Sequence, residues 1–159
     1  MVYIGFQVGI KAKSGRYICA EPNDNVTINR DKLGQWGTFT IVSAEGKKPG
    51  ARVKCGDVVQ FKSHFGKWLC AEPSGTIIAN RQEPSAWETF TIVDGHNNDN
   101  YYGPIEGEIM AIRTNHGTYV SDYEGSATAT KNMIKEGEQF YFVVVTEPPP
   151  EEFSCCVVL

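Results

Sequence analysis

The chain has 159 residues, of which 41% are hydrophobic and 21% charged, and a formal net charge of -4 at neutral pH. It is long enough to bury about 70% of the surface its unfolded form exposes, and its balanced composition excludes a low-complexity chain. No apolar run is long enough to cross a bilayer as a helix, and the acidic field disfavours nucleic acid as a partner.

The amino terminus, "MVYIGFQVGI", lacks a basic region and a small-residue cleavage site. No signal peptide is read from it, and a cytoplasmic protein is expected. Short β-type runs follow, separated by Gly, Pro, Asn and Asp, with strands expected at Gly9 to Lys11, Tyr17 to Glu21, Val26 to Asn29 and Phe39 to Val42. The "SG" at 14–15 places glycine where a hairpin turn needs positive φ. The next segment, "KKPGARVK", gathers Lys47, Lys48, Arg52 and Lys54 into one loop of an otherwise acidic chain.

Residues 61–93 then repeat residues 10–42 without a gap, at an offset of 51. The matched pairs include Lys11/Lys62, Gly15/Gly66, Cys19/Cys70, Glu21/Glu72, Asn29/Asn80, Arg30/Arg81, Trp36/Trp87 and Phe39/Phe90. The loop "DGHNNDNYYGPIEGE", Asp94 to Glu108, has the turn chemistry of a crossover and enough polar groups to hold a ligand. A weaker third copy follows, with Gly117, Tyr119 and "GEQFYFV" in the places of Gly66, Trp68 and "WETFTIV".

A period of this length marks units that bury their apolar faces only against one another. Three units of four short strands are too few blades for a propeller. The expected fold is therefore all-β, a β-trefoil of three pseudo-repeats of about 51 residues, spanning 1–50, 51–102 and 103–146. Tyr17, Trp68 and Tyr119, with Phe39, Phe90 and Phe140, are expected as ring layers of its core, and the Trp and Phe of each unit as anchors for the loop before its fourth strand.

The phrase "FGKWLCAEPSGTIIANRQEPSAWETFTIV", echoed in "SGRYICAEP" and "NRDKLGQWGTFTIV", resembles the fascin family of actin cross-linking β-trefoil proteins. The resemblance implies a non-enzymatic protein that binds filamentous actin. One trefoil stands here where fascins string together four, so bundling by a single copy is not implied. Gly37 also stands where the phrase has the acid of Trp87-Glu88. The alternatives are an adaptor for another membrane-proximal protein and a carbohydrate-binding trefoil, although the Gln-x-Trp signature of ricin-type lectins is missing, since Gln35 and Trp36 are adjacent.

Lys47, Lys48, Arg52 and Lys54 are the candidate contact with an acidic filament or an anionic lipid, set against a plain solvated loop. Arg30 and Arg81, with Asn29 and Asn80, read as hairpin stabilisers because they recur with the architecture. Cys19 and Cys70 read as small apolar core thiols, held too far apart by the repeat to form a disulfide, and Cys55 carries no assignment. No Cys/His spacing suggests zinc, no cofactor is indicated, and no nucleophile is placed beside His64 or His116, so the protein reads as a non-enzyme.

Beyond Val145 the composition changes to "TEPPPEEFSCCVVL", so that residues 147–159 read as a proline-stiffened leash. Its Cys-Val-Val-Leu sequence is the pattern read by prenyltransferases, with leucine favouring a geranylgeranyl group on Cys156. One lipid anchors only marginally and no polybasic run precedes it, which makes Cys155 the candidate for palmitoylation as a second signal. The expectation is an actin-binding protein tethered to the membrane at the cell cortex.

Overall fold

The computed structural model describes residues 2–98, 100–105 and 108–146. Twelve strands occupy them: β1 Gln7–Ala12, β2 Tyr17–Ala20, β3 Val26–Arg30, β4 Thr38–Ser43, β5 Val58–Lys62, β6 Trp68–Ala71, β7 Ile77–Arg81, β8 Phe90–Asp94, β9 Met110–Thr114, β10 Tyr119–Tyr123, β11 Ser126–Lys131 and β12 Phe140–Val144. Among the described residues the only helical elements are three-residue 3-10 turns at Gln35–Gly37, Ala86–Glu88 and Glu136–Glu138.

The strands follow from alternation. Phe39 and Ile41 of β4, Phe90 and Ile92 of β8, and Phe140 and Phe142 of β12 point inward, while the residues between them stay half-exposed, as the two-residue period of a pleated strand dictates. Gly15, Gly66 and Gly117 take φ of 92°, 75° and 82° at the turns that fold each first strand onto its second. That left-handed region costs a side-chain-bearing residue far more than it costs glycine.

All ladders are antiparallel, and the longest fix the register of the whole. β1 pairs β12 from Val8↔Val144 to Ala12↔Phe140, β8 pairs β9 from Phe90↔Thr114 to Asp94↔Met110, and β4 pairs β5 from Thr40↔Lys62 to Ser43↔Val59. Following neighbours from β1 through β2, β3, β11, β10, β9, β8, β5 and β4 returns to β1, so nine strands close on themselves. β12 bridges β1 and β9 across this ring, and the β6–β7 hairpin extends from β5.

The expected β-trefoil of three four-stranded units is corrected accordingly to a closed nine-strand antiparallel barrel with three further strands. The reason lies in hairpin edges. The β2–β3 hairpin joins the β10–β11 hairpin through Ser126↔Thr27, with Ile28 N–H donating to Gly125 O at 2.7 Å. The β6–β7 hairpin meets the other two hairpins through the isolated bridges Asn25↔Ile78 and Thr76↔Thr128, with Ala79 N–H donating to Asp24 O at 2.9 Å and Ala129 N–H to Gly75 O at 2.7 Å. A repeat in the sequence specifies each strand, but it does not specify which exposed backbone edges satisfy one another.

Phe61 sits at the centre of the core, its ring 6.4 Å from Phe39, 5.8 Å from Phe90 and 6.2 Å from Phe142. Phe39, Phe90 and Phe140 are fully buried, as expected of core rings. The second expected layer is different: Tyr17 is buried, but Trp68 and Tyr119 are half-exposed, and Lys11 and Lys62 lie over the Tyr17 and Trp68 rings at 5.6 Å. Trp68 thus faces outward under a cation, and Tyr17 is covered by one.

Truncating Phe61→Ala leaves a cavity in contact with three strands and is expected to cost about 3–5 kcal/mol. Urea unfolding checks this, and a loss below about 1 kcal/mol would mean that the four rings are not a single packed unit.

Candidate functional site

The residues that recur in the sequence are largely scaffold. The Arg30 guanidinium reaches the Glu21 carboxylate across the β2–β3 hairpin at 3.0 Å, and Arg81 reaches Glu72 across β6–β7 at 3.2 Å. Arg30 and Arg81 also donate to Asn29 and Asn80, so the Asn-Arg pairs brace hairpins. The loop before the fourth strand is held by an acid rather than by tryptophan. Trp87 is 39% exposed, whereas Glu88 is 1% exposed and accepts from Ser85 N–H at 2.6 Å and Ser85 O–H at 3.0 Å. Glu138 does the same work in the third unit, accepting from Lys135 N–H at 2.9 Å and Ser121 O–H at 2.8 Å. The signal for this was the acid retained in "AWETF" and "EGEQF", which a reading centred on aromatic rings passes over.

The basic loop does not form one free patch. Lys47 pairs with Asp57, whose side chain is 8% exposed, and that hydrogen bond raises the Lys47 pKa. Lys54 gives its backbone N–H to the same carboxylate at 2.9 Å, and Arg52 is half-buried with its backbone bridged to Tyr3. The structure thus brings Lys47 and Lys54 together around Asp57 and leaves Lys48 exposed. Cys155 and Cys156 lie outside the described residues.

In the 94–108 loop, Asp94 accepts from the N–H groups of His96 and Asn98 at 3.2 and 3.1 Å, and the Tyr101 hydroxyl donates to Pro104 O at 2.8 Å. These are the local turn bonds its composition suggests. Cys19, Cys55 and Cys70 are buried and form no disulfide among the described residues. Burial, with Asp94 and Asp57 nearby, pushes the Cys55 thiol up to about 11, and burial, with Glu88 alongside, pushes Cys70 up to about 12. Neither is a nucleophile at neutral pH. Among the described residues, no cluster of His, Cys, Asp and Glu could hold a metal ion, and no helix is long and apolar enough to cross a membrane.

The feature with the geometry of a site is a cleft of about 640 Å³ between the first 3-10 turn, β4, and the turn that links β5 to β6. Gln35, Thr38 and Thr40 line one side, and Lys62, Ser63 and His64 the other. Gln7 and the backbone leaving β12 close an end, where Val145 N–H donates to Gln7 O at 2.9 Å. Register puts Thr40 directly opposite Lys62. Trp36 and Phe65, each adjacent in the chain to a lining residue, pack with ring centroids 6.3 Å apart, and Arg30 stacks on Trp36 at 5.0 Å.

One position in the turn sets this junction apart from the other two. At the equivalent places in the other two junctions a polar side chain ties the turn to the preceding unit. His116 Nε2 is bonded to Ala71 O at 2.8 Å, with Trp87 5.9 Å away, and Ser14 donates to Asp122 at 3.0 Å beside Lys13, which pairs with Glu136. The third junction retains a cavity of only about 230 Å³. Phe65 occupies the position of His116 and Ser14, and a phenyl ring makes no such bond.

No family model and no curated protein sequence matches this chain. Solved structures share its fold, two of them as follows. A Caenorhabditis elegans protein of unknown function superposes with a TM-score of 0.76 and 15% identity, covering 90% of this chain and 96% of its own. An SDF2-like protein from Arabidopsis thaliana superposes with a TM-score of 0.73 and 11% identity, covering 94% of this chain and 99% of its own. At these identities the likeness is one of fold alone. The resemblance to fascins is corrected by these comparisons. The residues that carried it, the turn glycines, the Arg–Glu hairpin braces and the buried acid of the 3-10 turn, are ones the scaffold itself requires.

The thiol environments set a pH dependence with a definite sign. Cys55 and Cys70 hold their protons more tightly folded, at about 11 and 12, than at the ordinary 9.0. Below pH 9 both states are protonated and stability is untouched, whereas above it the unfolded chain loses these protons first, so stability falls as pH rises toward 11 and 12. Urea midpoints of the wild type and of Cys70→Ala across pH 8–11 check this: the alkaline decline is expected to be shallower in the variant, and equal slopes would contradict the assignment.

Proposed function

We propose that the protein is a non-catalytic binding module whose first-junction cleft takes a polyhydroxylated ligand, a saccharide in the simplest case. The observation that carries the reading is the lining itself: two side-chain amides, Gln7 and Gln35, and four hydroxyls, Thr38, Thr40, Ser63 and Thr146, around about 640 Å³. Amides and hydroxyls both give and accept hydrogen bonds, which suits the paired donor and acceptor character of a sugar hydroxyl. The Trp36–Phe65 pair beside them offers the apolar face against which a pyranose ring packs. Some of this bonding capacity is already used: Thr38 O–H donates to Gly34 O at 2.9 Å, and the Ser63 hydroxyl accepts from Phe65 and Lys67 N–H. Gln35 and Thr40 are therefore the residues placed to do the reading.

The tail belongs to the same proposal as a tether, with a prenyl group on Cys156 and an acyl group on Cys155 bringing the module to a membrane surface. Filamentous actin is the competing partner. Because Lys47 is committed to Asp57, Lys48→Glu is the charge reversal that tests a filament contact without disturbing the fold.

A glycan array probed with wild-type protein, followed by calorimetry on the best-bound member, tests the cleft. Gln35→Ala and Thr40→Val are each expected to weaken binding about tenfold, the scale of a lost polar contact that leaves its partner unpaired, while the urea midpoint changes little. An empty array, together with actin co-sedimentation that Lys48→Glu abolishes, would replace the saccharide with the filament. Intact mass of protein isolated from its native cell is expected to show a geranylgeranyl group on Cys156 and loss of residues 157–159. An unmodified Leu159, or a chain that continues past it, removes the tether.

A further inference from the structure

The chain carries 19 carboxylate side chains against 15 lysines and arginines, yet among the described residues none of those carboxylates lines this cleft. The lining has two groups that can be positive, Lys62 and His64. Lys62 ends β5, faces Thr40 across the ladder and rests its stem over Trp68 with the ammonium 5.6 Å from the ring centroid. Among the described residues it has no carboxylate partner. Other cations at the junctions are committed: Lys13 pairs with Glu136, Lys67 with Asp24 at 2.8 Å, and Arg30 with Glu21. His64 lies edge-on to Phe65 at 5.3 Å, which fixes the ring while leaving its nitrogens without a protein partner among the described residues.

Resting on the saccharide reading of this cleft, we infer that its ligand is an acidic sugar, one that carries a carboxylate or a sulfate group, and that Lys62 is the residue that selects it. The hydroxyl face of the ligand meets Gln35 and Thr40, and the anionic substituent meets the Lys62 ammonium, with the His64 imidazole as a second donor. An ammonium with no carboxylate partner among the described residues, in a protein of net charge -4, is a site of positive potential in a negative field. Such a contrast selects one sign of ligand and repels the protein's own kind of surface. A charge-assisted hydrogen bond is also about twice as strong as a neutral one, so the discrimination falls on the acidic group.

The test is calorimetry with pairs of monosaccharides that differ only in that group, glucose against glucuronate and galactose against its 6-sulfate, run on the full chain and on Lys62→Met and Lys62→Arg. Methionine keeps the apolar stem over Trp68 and removes the charge. The acidic member of each pair is expected to bind wild type at least about tenfold tighter, with the preference weakened by added salt, lost in Lys62→Met and restored in Lys62→Arg. Equal binding of acidic and neutral members by wild type, or a preference that survives Lys62→Met, overturns the inference while leaving the saccharide reading in place. No binding of any member, by protein whose urea midpoint is normal, overturns both.

Discussion

The first strand and the last are the constraint on which the rest depends. β1 and β12 pair over five residues, so the chain cannot fold as three independent hairpin units in a row; it must bring its ends together. That pairing costs the loop-closure entropy of nearly the whole described chain, and the four-phenylalanine cluster centred on Phe61 supplies the burial that offsets it. It also fixes where the chain emerges. Val145 N–H is bonded to Gln7 O, which places the end of β12 at the mouth of the cleft. The site is thus built from both termini of the described chain as well as from its first and second repeats.

A scaffold made of similar units carries redundant fastenings, and that redundancy is what lets one junction serve another purpose. His116 and Ser14 each anchor a turn to the unit before it. With two such ties and a closed ring of strands, the turn at Gly66 holds its place through the Ser63–Lys67 backbone bond at 2.7 Å, the Trp36–Phe65 contact and the Lys67–Asp24 ion pair at 2.8 Å beside it. A phenyl ring at residue 65, with the polar tie moved to Lys67 and Asp24, leaves room without loosening the barrel. The same logic explains Gly37: with no acid there to cap the first 3-10 turn, the turn is held instead by Leu33, which packs so closely on Gly9 that a β-carbon at residue 9 would lie 2.8 Å from it. Different units reach the same backbone by different side-chain means.

The strands were legible because their signal is local. Alternation of apolar residues and the glycines at 15, 66 and 117 place most strand bounds within a residue or two. The closure was not legible, because β3–β11 pairing is a match between backbone edges more than 90 residues apart, and nothing in the side-chain repeat distinguishes that hairpin from β6–β7. The candidate site was still harder to see. Basic residues in "KKPGARVK" are conspicuous in sequence, but the acid that occupies Lys47, Asp57, lies ten residues on and is recognisable only as a buried carboxylate. Gln35, Thr40 and Lys62 are unremarkable in sequence and meet only when β4 pairs with β5. The one clue was a difference between copies, Phe65 in place of His116 and Ser14, and a repeat is usually read for what it keeps rather than for what it changes.

Backbone amide shifts in a two-dimensional NMR titration, using the tightest-binding sugar of the acidic set, ask most directly which face of the barrel is the working one. The account predicts that the perturbed amides cluster at Gln35, Thr40 and Lys62 to Gly66, with the Lys48 loop and the Tyr101–Tyr102 region unmoved. Perturbations centred on either of those two regions, with the first junction silent, would contradict it.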